Sequence, residues 1–196
     1  MQYRVKICET CDWSSAEVAS IDKYVWGGSY RPLAAARALY VPDTGLFVRL
    51  TCREHSPKAV YTEFYQPVYK DSCLEFFADI GNTGKYVNCE MNSNGALLMG
   101  FGEGRHGRVH IDELTTVPQV KVTRGEDEWS VEILLCDGLI DELWGARLSE
   151  GSRFRGNFYK CGDETEIIHY GMWSPVRTDS PDFHRPEYFG EFVLVR

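Results

Sequence analysis

A chain of 196 residues with 43% hydrophobic and 26% charged side chains can bury a core of ordinary size, which excludes intrinsic disorder. Its 29 acidic against 21 basic residues give a net charge of −8, and no stretch clusters Lys and Arg, so nucleic acid is set aside as a partner. The longest apolar runs, such as 46–48 and 133–135, fall far short of the ~18 residues of a membrane span. Residues 1–11 contain no continuous apolar signal segment, so the chain as written is expected in the cytoplasm, or outside the cell if an export signal was removed. Seven cysteines, an odd number without compact spacing, argue against a disulfide framework. The 13% aromatic content favours strands and the binding of ring-shaped ligands.

In chain order, Ser14 to Tyr24 is ambiguous between helix and strand. Leu46–Cys52 alternates and reads as a strand, and Leu74–Ile80 follows as a second. Tyr86–Asn92 alternates strictly, and Asn94-Gly95 then turns the chain into Ala96–Met99. Val120–Thr123 and Trp129–Leu135 flank a polar turn at 124–128. Asp137–Trp144 has the length of a turn or two of helix. Arg153–Cys161 and Phe189–Val195 supply the last strands. With no internal repeat or linker, residues 1–196 read as one all-β domain. An antiparallel two-sheet β-sandwich of immunoglobulin-like or jelly-roll type, with little helix, is predicted.

Parity separates core from surface. Val87, Cys89, Met91, Trp129, Val131, Ile133, Phe154 and Phe158 are expected inside. Asn88, Glu90 and Asn92 fall on the other face of one strand, and Arg155, Asn157 and Tyr159 on that of another. The two rows are expected to belong to one sheet and to line a shallow polar concavity.

Catalytic signals are weak. Cys8-Glu9-Thr10-Cys11 is half a zinc motif with no second half, and His106 and His110 lie in a Gly-rich stretch that disfavours helix. Gly100–Arg105 matches neither a P-loop nor a dinucleotide fingerprint and reads as a sheet-edge loop. Glu75 and Glu90 are the carboxylates best placed for glycoside hydrolysis. No Ser-His-Asp elbow accompanies them.

Three blocks carry a family resemblance: Tyr69 to Asp79 (YKDSCLEFFAD), Tyr86 to Gly95 (YVNCEMNSNG), and Met172-Trp173-Ser174-Pro175 with Phe183 to Gly190. In this order they resemble the family 9 carbohydrate-binding modules, over about Arg37 to Val195. The resemblance implies a non-catalytic β-sandwich binding xylan- or glucan-type oligosaccharides or chain ends. It implies two aromatic rings clamping a sugar while polar groups take the hydroxyls. On that pattern Tyr69 and Phe183 stand at the clamp positions and Glu75 keeps the family glutamate. The family's binding arginine falls at about Glu90 and a binding asparagine at about Ser180. Trp173 reads as a core residue. No cofactor is called for by the residues, although the resemblance allows bound calcium. The expected ligand-binding set is therefore Tyr69, Glu75, Asn88, Glu90, Asn92, Asn157, Tyr159 and Phe183. A glycan-active enzyme, an enzyme's accessory domain, or a sandwich with another small ligand are the alternatives.

Overall fold

The computed structural model describes residues 1–114 and 117–196. Its strands are β1 (Gln2–Ile7), β2 (Ala19–Ile21), β3 (Lys23–Gly27), β4 (Leu33–Val41), β5 (Gly45–Arg53), β6 (Cys73–Asp79) and β7 (Tyr86–Asn92). There follow β8 (Leu97–Gly102), β9 (Val109–His110), β10 (Val120–Arg124), β11 (Glu128–Cys136), β12 (Arg153–Gly162), β13 (His169–Met172) and β14 (Gly190–Val195). The helix α1 (Asp137–Trp144) occupies the predicted segment and stops at Gly145, whose φ of 61° is a left-handed cap. The ambiguous stretch after Ser14 resolves into a single 3-10 turn, capped by Asp12, followed by β2 and β3.

The mostly-β expectation holds. The expectation of two purely antiparallel sheets does not. Hydrogen bonding runs without a break through β10-β11-β5-β4-β1-β14-β12-β6-β7-β8-β9. The join is β1, which pairs in parallel with both β14 and β4, so the molecule is one curled, mixed sheet. Alternation in Gln2–Ile7 explains the placement: Tyr3 and Val5 point into the core while Gln2, Arg4 and Lys6 stay exposed. Polar groups of this strand find partners on both sides, which an edge position would not allow.

Inside the curl, inward residues of β4, β5 and β11 share a single core with those of β6, β7, β12 and β14. Val87, Cys89, Met91, Trp129, Val131, Ile133, Phe154 and Phe158 all lie in it, as parity requires. Trp173 is there too, edge-on to Tyr3 with centroids 6.1 Å apart. Each of these large side chains contributes roughly 1.5–3 kcal/mol by leaving water. Both turn signals are realised. Asn94-Gly95 joins β7 to β8, with Gly95 at φ 86°, and residues 124–128 join β10 to β11.

One feature of the sheet departs from the alternating pattern. β6 and β7 are buried along their whole length, on both faces. Outward-facing Phe77, Tyr86 and Tyr159 form a second apolar cluster with Met172, Val176 and Phe189. The chain between Trp173 and Phe189 thus covers most of the outer face. Arg155 Nη2 helps to pin that cover, donating to Phe189 O at 2.8 Å.

Gly190 shows how closely β14 is fitted. A Cβ there would overlap the six-membered ring of Trp173, which is itself held by Tyr3, Phe158 and Phe192. Gly190→Ala is expected to cost about 1–3 kcal/mol, as overpacking of a rigid core does, with a matching fall in urea midpoint.

Candidate functional site

The registers of β7, β6 and β12 place the polar residues in rows across one face. Glu90 lies opposite Glu75, and Glu75 opposite Tyr159. Asn88 lies opposite Phe77, and Phe77 opposite Asn157. Asn92, Cys73 and Cys161 form a third row. The two predicted polar rows therefore do share a face of one sheet, with β6 between them. Where the outer cover leaves a gap, a cavity of about 450 Å³ opens above this face. Glu75, Asn88 and Glu90 are in its floor, and Tyr69 and Phe183 are in its lining.

Three of the expected site residues do not reach the cavity. Asn92 donates to Tyr61 O at 2.8 Å and Asp71 Oδ2 at 2.9 Å, tying a loop to the hairpin. Asn157 is fully buried and brackets Ser174, accepting from its N and donating to its O, both at 2.8 Å. Tyr159 is stacked under Phe183, with centroids 4.0 Å apart and planes 12° from parallel. Parity put these side chains on the correct face, but the 173–189 cover takes up the polar groups of Asn157 and Tyr159, and the loop before β6 takes up Asn92. Tyr159 serves the site at one remove, by backing the ring of Phe183.

Sequence reasoning missed the rim. The loop after β8 brings Arg105, His106 and Arg108 to the cavity, while Asp163 and the 181–184 segment complete it. Arg108 folds back over the sheet edge. Its Nε donates to Asn88 Oδ1 at 2.8 Å, and its two terminal nitrogens reach the carbonyls of Tyr86, Gly100, Gly102 and Gly104. The guanidinium also lies 4.2 Å over the Tyr86 ring. The signal for this was the glycine spacing: a Cβ on Gly100 would sit 3.3 Å from Arg108 Nε. Through Asn88, whose Nδ2 donates to Glu90 Oε1 at 3.0 Å, Arg108 holds the glutamate that stands where the resemblance expects an arginine. Ser180, the expected asparagine position, is an exposed residue outside the cavity lining.

Burial dominates the electrostatics of the floor. It raises Glu75 well above the usual carboxylate range, with the charge of Glu90 acting in the same direction. Glu90 is pushed up to about 7, again by burial first, with the Asn88 hydrogen bond opposing. A protonated carboxyl beside an ionised one can donate as well as accept, which suits hydroxyl groups. His184 is held neutral, its pKa lowered to about 3 by burial and then by Arg108 and Arg105. Its Nδ1 is 2.9 Å from the Tyr86 hydroxyl.

Two side-chain clusters bear on the metals that the sequence raised. Among the described residues, three or more metal-ligating side chains converge at Cys73, Glu75 and Cys161 and at His110, Asp112 and Glu113, and Cys8 and Cys11 belong to neither group. Calcium takes about six to eight oxygen ligands. Neither group supplies them, and the partnerless buried oxygens Asp71 Oδ1 and Ser93 Oγ are too few by themselves. Neither cluster, on its own side chains, fits the calcium that the resemblance allows.

The carbohydrate-binding family 9 model matches residues 6–194. The chain belongs to that family. Carbohydrate-binding family 9 is a family of non-catalytic modules. Solved structures with the same fold include a Bacteroides uniformis ATCC 8492 protein provisionally described as carbohydrate-binding, at 23% identity and a TM-score of 0.84 over 98% of each chain. Two others are of a family 9 module from Caldicellulosiruptor kristjanssonii. Its cellotriose complex has 13% identity and a TM-score of 0.70, covering 100% of this chain and 94% of that one. Its glucose complex has 14% identity and a TM-score of 0.71, covering 100% and 97%. Among curated proteins none matches the chain.

Two outcomes follow for this family 9 site. Arg108→Ala removes several charge-assisted bonds at a sheet edge and is expected to destabilise the fold by about 2–4 kcal/mol, read by urea unfolding. The buried histidines set an acid limb. His184 and His169, the latter lowered to about 4 chiefly by burial, stay neutral when folded, whereas an unfolded histidine takes its proton near 6.5. Stability is therefore expected to fall as pH drops from about 6.5 towards 4, and His184→Asn to flatten part of that fall.

Proposed function

We propose that the cavity binds one terminal ring of a xylan- or glucan-type oligosaccharide. The observation that carries this reading is the joint lining of one cavity by Tyr69, Phe183, Glu75, Asn88 and Glu90. A pyranose has apolar C–H faces that rest on rings and a rim of hydroxyls that needs donors and acceptors. Tyr69 and Phe183 supply the first, and the Glu75–Glu90 pair with Asn88 the second. At about 450 Å³ the cavity is at the small end of ligand pockets, in keeping with a chain end rather than a chain passing through. The cellotriose and glucose complexes of the Caldicellulosiruptor module lend support to the glucan arm.

The preorganisation of the rings favours the same reading. Phe183 is stacked on Tyr159 and packed near Trp26, so little side-chain entropy is lost on binding. Calorimetry with cellotriose and xylotriose tests the proposal. Tyr69→Ala and Glu75→Ala are each expected to weaken binding about tenfold, the loss of ~1.4 kcal/mol. Phe183→Leu keeps a packed side chain but loses the ring face, and the same weakening is expected. Unchanged affinity in folded Tyr69→Ala would remove the clamp. A wild-type protein indifferent to both sugars would overturn the substrate class, and released reducing ends would overturn the non-catalytic role.

A further inference from the structure

The third row of the binding face holds two thiols that sugar binding does not require. Cys161 lies directly opposite Cys73 in the β6–β12 ladder, and Glu75 is two residues along β6 on the same face. Their ligand atoms all lie within 4.8 Å of one another, and Cys161 Sγ is 2.8 Å from Glu75 Oε1. We propose that Cys73, Cys161 and Glu75 form a three-donor site for a thiophilic divalent cation of the Zn²⁺ class, open to the cavity at its fourth position. The proposal shares Glu75 with the sugar reading but does not depend on the clamp rings.

The chemistry of the donors selects the ion. Two sulfurs and one carboxylate are a zinc-type set with metal–ligand distances of about 2.0–2.3 Å, and they exclude calcium and magnesium, which take oxygen. Three protein ligands rather than four leave one position for water. Access exists, because Cys161 and Glu75 line the cavity while Cys73 closes the site from behind, fully buried. The surrounding charge also calls for a cation. Glu90 stands opposite Glu75, and Asp163, two residues beyond Cys161, also lines the cavity. Among the described residues none of these three carboxyls has an ion-pair partner. Arg108 is already committed to Asn88 and backbone carbonyls.

Uptake exchanges protons for metal and moves no electrons. Each thiol gives its proton to solvent through the cavity, the Cys161–Glu75 hydrogen bond opens, and Glu75 ligates as carboxylate. A metal and a sugar then compete for Glu75, so each weakens the other by the same factor.

Cobalt titration of the reduced protein, with a phosphine reductant present, tests this directly. One Co²⁺ per chain is expected, with a thiolate-to-cobalt charge-transfer band that Zn²⁺ abolishes. The band should persist in Cys11→Ser, which breaks the Cys8-Glu9-Thr10-Cys11 motif at its exposed thiol, and in Tyr69→Ala. Cys73→Ser and Cys161→Ser should each weaken Co²⁺ by about a hundredfold or more. In the wild type, Zn²⁺ should slow alkylation of Cys161 but not of exposed Cys136, a readout that needs no variant. It should also weaken cellotriose about tenfold wherever cellotriose binds. A missing band, or one that survives both serine variants, overturns the proposal even if sugar binding is intact. A band without sugar binding leaves the metal site standing and removes the sugar reading.

Discussion

Both faces of β6 and β7 are shut away from water, one against the core inside the curl and the other under the chain from Trp173 to Phe189 and, at the Cys73 end, under residues 61–71. That double burial is the constraint on which the rest of the molecule depends. A central strand with two covered faces would ordinarily read as a continuous apolar run. Here Glu75, Asn88, Glu90 and Asn92 sit inside the covered layer, and each has to be answered by hydrogen bonds, by neutralisation or by a ligand. Asn157 is answered by the backbone of the cover, and Asn92 by Tyr61 O and Asp71 in the loop before β6. Glu75 and Glu90 are answered only in part, which is why burial drives both upward and why the cavity lies over them.

The cover and the rim are built from different materials. Aromatic residues hold the cover: Tyr86 meets Phe189 edge-on at 5.4 Å, and Phe183 lies flat on Tyr159. Arginines hold the rim, Arg105 through Asp182 and Arg108 through backbone carbonyls. Arg108 gathers carbonyls from β8, its following loop and Tyr86, drawing the edge of the sheet into a wall. The glycines at 100 and 102 leave the room it occupies. One side of the site is thereby fixed by packing and the other by charge-assisted hydrogen bonds, which are the stronger kind.

Local pattern carried the strands well. Alternation in Tyr86–Asn92 and Trp129–Leu135 depends on nothing beyond the pleat, and those segments and their inward residues fall where parity puts them. The parallel insertion of β1 was not legible, because Gln2–Ile7 alternates like any half-buried strand and its partners lie far along the chain. Asn157 and Tyr159 were assigned to the correct face, but no local feature announces that 173–189 will fold over it. Arg108 was missed for a related reason: the spacing of Gly100 and Gly102 marks room beside the strand but not what fills it. Its role arises from where a glycine-rich loop returns, which is a tertiary fact. The cavity residues that were legible, Tyr69, Glu75 and Phe183, came from motif order, and Asn88 and Glu90 came from strand parity.

The parallel pairing of β1 with β14 has a mechanical meaning as well. Gln2 lies beside Glu191 and Lys6 beside Val195, so the two strands run in the same direction, with the start of β1 and the end of β14 at opposite extremes. Tension applied to the start of β1 and the end of β14 therefore slides one strand along the other. All the hydrogen bonds between them carry the load together, rather than parting one at a time as in an unzipped hairpin. Behind them, Tyr3, Trp173 and Phe192 interlock and resist the same slide. If the cavity over β6 and β7 holds a chain end as proposed, a pull on that chain would pass through the part of the sheet best arranged to bear shear.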